Sequence, residues 1–244
     1  DDTLGTAADI TLTGTGTTLY GQTGTPSNLG NAMEFPSTSA NSGVYGDFGS
    51  SVSQFNFLHG GTPHWTVCFW AKTDGTNIAN NQAILRSAMG DTTAGIVIYH
   101  YGNSPVGIRM YMSKHGSGNN QPLTGQSTGG FFLYDDDWHF YSFTVDMSLG
   151  SANLKMKRDA ANNESFNKSG SHTPDALSQN ATYALGFRHD PNQGSAYIPP
   201  TGQYAELSIW DRVLTDAEIT KLYQSGGGFQ LETGLPVWKE KGVA

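Results

Sequence analysis

Only one stretch of this 244-residue sequence carries the signals of a helix, and it comes near the end: "LTDAEITKLYQSG", residues 214–226. Thr215 is placed to cap it, and Glu218 three residues on completes a capping box, satisfying amides that the first helical turn leaves without partners. Leu214 and Ile219 take the staple positions on either side of that cap, and Ile219, Leu222 and Tyr223 form one apolar stripe. Gly226 is the expected end, because a left-handed residue commonly closes a helix. A helix this short is marginal alone in water. Its stripe must therefore cover something apolar, with an edge or open end of a β-structure the expected place.

From Asn31 to Trp210 the signals of short strands repeat. "NAMEF" sets Met33 and Phe35 on one face and Glu34 on the other, the period-two signature. "HWTVCFWAK" (64–72) is apolar on both faces, as a central strand buried between layers must be. "GIVIYHY" (95–101) and "GIRMYM" (107–112) are spaced for a hairpin. "DWHFYSFTVD" (137–146) is a second long apolar strand, and "LKMKR" (154–158) alternates Leu154 and Met156 inward with Lys155 and Lys157 outward. "TYALGFR" (182–188) follows, then a final strand, 203–210, with Ala205, Leu207 and Ile209 opposed to Tyr204, Glu206, Ser208 and Trp210. Segments 113–130 and 159–181 read as long polar loops. With 31 glycines for turns, the pattern predicts an all-β chain: an antiparallel β-sandwich of jelly-roll type with one short C-terminal helix. Residues 1–30 form a Thr/Gly-rich arm or irregular first layer with a strand at Ile10–Leu12, residues 31–226 the sandwich, and residues 227–244 an extension carrying Trp238.

Hydrophobic residues make up 36% of the chain, enough to bury a core, and thirteen basic against twenty-one acidic residues give a net charge of −8. That balance disfavours a nucleic-acid partner. The densest basic run, Lys155 to Arg158, reads as the outer face of a strand. The single cysteine, Cys68, excludes an intrachain disulfide and reads as a small buried hydrophobe. No stretch has the apolar length of a membrane span, so a soluble chain is expected. A start at Asp1 rather than Met suggests processing or excision from a longer chain.

In order and spacing, "HWTVCFWAK", "DWHFYSFTVD", "LKMKRDA" and "GQYAELSIWDRVLTDAEITKLYQSG" resemble the laminin-G-like jelly rolls of the concanavalin A-like lectin/glucanase superfamily. The likeness includes the aromatic-plus-lysine strand end Phe69-Trp70-Ala71-Lys72, the pair Trp138-His139 with Asp146 closing its strand, and Trp210, Asp211, Leu214 and Glu218 in the final motif. It runs over roughly residues 31–226. The resemblance implies a recognition or adhesion module that binds glycans or proteins; some relatives in the wider superfamily are polysaccharide hydrolases or lyases. Where the family often places an acidic residue ahead of the last acidic position of the final strand, this chain has Ala205, leaving only Glu206.

Glycan binding needs aromatic faces ringed by polar groups. Tyr99, Tyr101, Asn103, Arg109 and Tyr111, on or beside the hairpin, are the candidate ligand-binding residues, with Tyr134, Asn119 and Asn120 further along. Calcium is the candidate cofactor, since hard cations take carboxylate and carbonyl oxygens. Glu34 and Glu206 on neighbouring early and late strands form one candidate set, Asp190 and Asn192 another. Hydrolysis of a glycoside needs two facing carboxyl groups. No strand here offers them, and Asp135-Asp136-Asp137 reads as a solvated turn. Tyr99-His100-Tyr101 with Arg109 imitates the base and neutralising cation of a polysaccharide lyase.

The expected function is thus non-catalytic recognition of a glycan or surface protein, outside a cell or on a particle. The alternatives are a structural piece of a phage virion, assembling through residues 1–30 and 227–244, and a polysaccharide hydrolase or lyase.

Overall fold

A computed structural model describes residues 11–13, 32–35, 45–48, 55, 57–58, 62–73, 75, 83–87, 95–101, 107–113, 123–127, 130–167, 186–187 and 201–224. Among them are thirteen strands: β1 (Thr11–Thr13), β2 (Met33–Phe35), β3 (Tyr45–Asp47), β4 (His64–Lys72), β5 (Ala83–Arg86), β6 (Gly95–Tyr101), β7 (Gly107–Ser113), β8 (Leu123–Gln126), β9 (Trp138–Asp146), β10 (Leu154–Arg158), β11 (Asn162–Phe166), β12 (Gly186–Phe187) and β13 (Gly202–Trp210). The helix α1 spans Asp216–Tyr223. The strands form two antiparallel sheets, one ordered β1-β3-β12-β5-β6-β7-β8 and the other β11-β10-β9-β4-β13-β2. This is the antiparallel jelly-roll sandwich the periodicity implies. The C-terminal extension, and the arm apart from Thr11–Thr13, lie outside the described residues. So does the rest of the expected strand 182–188, of which only Gly186–Phe187 is described.

The inner faces of the two sheets make one core. On β4 and β9, Trp65 pairs with Val145, Val67 with Phe143 and Phe69 with Tyr141, all essentially inaccessible to water. The β6 and β7 side answers with Ile96, Ile98, Ile108 and Met110. Aromatic rings fill the gap between: Phe132 stacks on Tyr141 at 4.5 Å, and Phe35 meets Tyr204 edge-on at 5.5 Å. Phe131 and Phe132 reach this core from an irregular segment, where aromatic bulk takes the place of strand geometry.

β4 is apolar on its other face too, because that face is also covered. Cys68 and Trp70 of β4, Phe140 of β9 and Ala205 of β13 form a second cluster with Leu214, Ile219 and Leu222. The helix therefore lies over the outer face of the six-stranded sheet, rather than at an edge or open end. Its N-terminus is as the sequence implies: the Thr215 side chain accepts from the Glu218 amide, and the Glu218 carboxylate accepts from the Thr215 amide. Thr66 ties the corner down, its hydroxyl donating to the Arg212 carbonyl at 3.0 Å and accepting from the Leu214 amide at 2.9 Å. At the C-terminus Gln224 takes a left-handed conformation, with φ 43° and ψ 47°; Gly226, the expected end, lies outside the described residues.

Three further differences have physical causes. First, β13 does not keep a single period: Tyr204 faces the main core while Ala205 faces the helix layer, yet Leu207 and Ile209 pack on the main core. A bulge between Ala205 and Ser208, with Glu206 at φ 50°, inserts one residue and inverts the phase. Second, Lys157 points outward but is not solvated; it is 5% exposed and pairs with Asp216 at the first turn of α1, Nζ to Oδ1 2.6 Å. Third, the stretches 113–130 and 159–181 contain β8 and β11. Glycine is required where β13 begins, since a Cβ on Gly202, at φ 154°, would collide with the Lys72 carbonyl. No helix among the described residues is long and apolar enough to cross a membrane.

Candidate glycan-binding face

β5, β6 and β7 lie side by side, and their register decides which side chains share a face. Tyr99 stands opposite Ala83 on one side and Arg109 on the other, and Val97 stands opposite Arg86. Ala83, Val97 and Tyr99 form an apolar cluster of their own, apart from the main core. This is the outer face of the seven-stranded sheet. Tyr99 is only 7% exposed, so its ring is part of the floor rather than an open stacking platform. Its hydroxyl accepts a hydrogen bond from Arg109 Nη1 at 3.1 Å. The half-buried guanidinium is thereby tied to the buried ring of Tyr99.

Of the five candidate ligand residues, the structure brings Tyr99 and Arg109 together. Tyr101 pairs with Gly107 and Tyr111 with Val97 in the backbone register, and Asn103 lies outside the described residues. Sequence reasoning missed Arg86, which is 3% exposed on this same face. Its strand, "AILR", is too short to show a period, so the only signal was a cation closing an apolar run. Tyr134 is not on this face: its hydroxyl lies 2.9 Å from Nδ1 of His100, inside the sandwich.

That contact also separates the lyase-like group. Successive strand residues point to opposite faces. Tyr99 is on the outer face, while His100 is fully buried against Phe132 and Tyr134. Burial pushes the His100 pKa down to about 3, so the ring stays neutral.

The calcium candidates are also separated. β2 and β13 are neighbours, as expected, but Glu34 stands opposite Gln203, and Glu206 lies three residues further along in the bulge. Asp190 and Asn192 lie outside the described residues. Among the described residues no group of three or more His, Cys, Asp or Glu side chains could hold a metal ion.

The two-sheet antiparallel sandwich is the architecture of the jelly rolls that the sequence resembles. The chain belongs to the concanavalin A-like lectin/glucanases superfamily, a laminin-G family model of which matches residues 47–220. No curated protein matches the sequence. Among solved structures, it is similar to the CBM40 domain of the Ruminococcus gnavus IT-sialidase bound to alpha2,3 sialyllactose, with 14% identity, TM-score 0.55, and 79% of this chain and 96% of that one covered. It is also similar to domain 4 of AbnA, a GH43 extracellular arabinanase from Geobacillus stearothermophilus, in complex with arabinotriose, at 16% identity and TM-score 0.52 over 88% of each chain. A third is the binding domain of botulinum neurotoxin DC in complex with SialylT, with 14% identity, TM-score 0.53, and 89% of this chain and 46% of that one covered. At such identities the likeness is one of fold.

Proposed function

We propose that this protein is a non-catalytic glycan-recognition module, acting outside a cell or on a surface, and that the outer face of β5–β7 is its binding face. The observation that carries the reading is Arg109, half-buried and bonded to the Tyr99 hydroxyl on the same face as Ala83 and Val97. A fixed guanidinium presents paired N–H donors, which suit vicinal hydroxyls or a carboxylate, at little ordering entropy. The similarity in fold to domains solved with sialyllactose and arabinotriose supports the same reading. The non-catalytic reading rests on the sequence, in which no strand offers the two facing carboxyl groups that glycoside hydrolysis needs.

A glycan array followed by calorimetry, with and without calcium, tests this. Binding is expected to at least one glycan class and to fall about 10- to 100-fold in Arg109→Ala, the worth of a hydrogen bond from a charged group. Silence across the array together with no binding to any cell surface would overturn it. Dependence on calcium would return Glu34, Glu206, Asp190 and Asn192 to consideration as ligands.

A further inference from the structure

His139 is the second residue of β9, where two turns from different parts of the chain meet it. Its Nδ1 lies 2.8 Å from Asp159 Oδ2, and its Nε2 lies 3.2 Å from both carboxylate oxygens of Asp135. Asp159 belongs to the turn joining β10 to β11, and Asp135 to the acidic turn that precedes β9. A neutral imidazole has one N–H and can donate to only one of these carboxylates. Two carboxylates on two ring nitrogens call for an imidazolium.

Both turns are also in unfavourable backbone conformations. Asp159 and Ala160 have φ of 52° and 56°, and Asp136, next to Asp135, has φ 62°. Aspartate tolerates such angles better than most residues, whereas Ala160 holds one at a cost that its surroundings must meet. Asp159 is fixed twice, by His139 and by accepting from the Phe140 amide at 3.0 Å. Asp135 is more exposed and its bond to His139 is longer, so it is the weaker side.

We propose that His139 is a pH-sensitive latch: as an imidazolium it ties the 130–137 segment to the β10–β11 turn, and on losing its proton it releases the Asp135 side. The remaining N–H stays with Asp159, and Asp135 is left facing a lone pair. The groups around the ring are Asp135 and Asp159, Arg158 with Nε 3.7 Å from Asp159 Oδ2, and Tyr141 on the same strand. Lys72 of β4 is engaged by Asp136, and Tyr223 of α1 senses Asp159. The bond to Asp159, opposed by partial burial, holds the His139 pKa above the ordinary imidazole value. A raised folded-state pKa means the latch's stabilisation is fully present below the unfolded value, about 6.5, and is lost as pH rises through the folded value. The segment released is the one that delivers Phe131 and Phe132 to the core and Tyr134 to His100.

Nitrogen-15 spectra of the histidine rings test this, with His139 assigned by its loss in His139→Gln, or by its shift in Asp135→Asn should the glutamine variant not fold. Both ring nitrogens should be protonated at about pH 6, with a midpoint above about 6.5 that falls in Asp135→Asn. Amide protection over residues 130–137, corrected for intrinsic exchange, should drop about tenfold or more across that titration in the wild type and stay flat in Asp135→Asn. A midpoint at or below about 6.5, a midpoint unmoved by Asp135→Asn, or protection that ignores the titration would each overturn the proposal.

Discussion

Removing the last turn of the helix's apolar stripe measures whether α1 is a structural layer. Leu222 is 4% exposed and packs in the cluster of Cys68, Trp70, Phe140, Ala205, Leu214 and Ile219. Leu222→Ala deletes three carbons, roughly 2 to 2.5 kcal/mol of transfer free energy at about 0.8 kcal/mol per buried CH2. Neighbours on a rigid sheet cannot collapse fully into the space, so the total should reach about 3 kcal/mol, within the usual range for such a truncation. For a domain of this size that lowers the melting temperature by roughly 6 to 12 °C. Leu149, 41% exposed in the turn before β10, is the control, and Leu149→Ala should stay within about 0.5 kcal/mol. Urea unfolding followed by tryptophan fluorescence reads both, since Trp70 touches the helix layer. A loss below about 1 kcal/mol for Leu222→Ala, with an unchanged denaturant slope, would refute the docking of α1 as the cover of the outer sheet face.

Glu218 is held by bonds from Arg212 first and the Thr215 cap second, which bring its pKa down to about 2. A depressed carboxylate contributes stability above its unfolded value that is lost as pH falls through the folded one. Acid unfolding should therefore steepen below about pH 4.5, and Glu218→Gln should flatten that limb; identical acid limbs would contradict the cap's role. Cys68 is fully buried, and burial pushes its thiol pKa up against a bond from Ser208. It should resist alkylation in the native protein, reacting only at the rate of unfolding. Fast labelling under native conditions would show that the helix layer opens by itself.

Much of this fold was legible because burial writes a period into sequence. β4 reads as buried on both faces, and it is, with the main core on one side and α1 on the other. The capping box of Thr215 and Glu218 was equally plain, since its chemistry is local. What could not be read depends on neighbours. The phase inversion in β13 turns on Glu206 adopting a positive φ, which no residue type there advertises. β11, "NNESF", is polar and owes its conformation to pairing with β10. Lys157 looked solvated because the helix that covers it comes more than fifty residues later. The candidate face was half legible for a similar reason. Tyr99 and Arg109 lie on adjacent strands of a recognisable hairpin, but whether Tyr99 is platform or floor depends on burial that a strand sequence does not encode.

The most direct test of the glycan-recognition account is a chemical-shift titration of labelled protein with the strongest glycan from the array, repeated on Arg109→Ala. The account predicts that the largest shifts fall on residues 83–86, 96–99 and 108–110 of the β5–β7 face, and that they vanish in the variant. Shifts gathered instead over α1 and the outer face of the six-stranded sheet, or binding undiminished in Arg109→Ala, would contradict it.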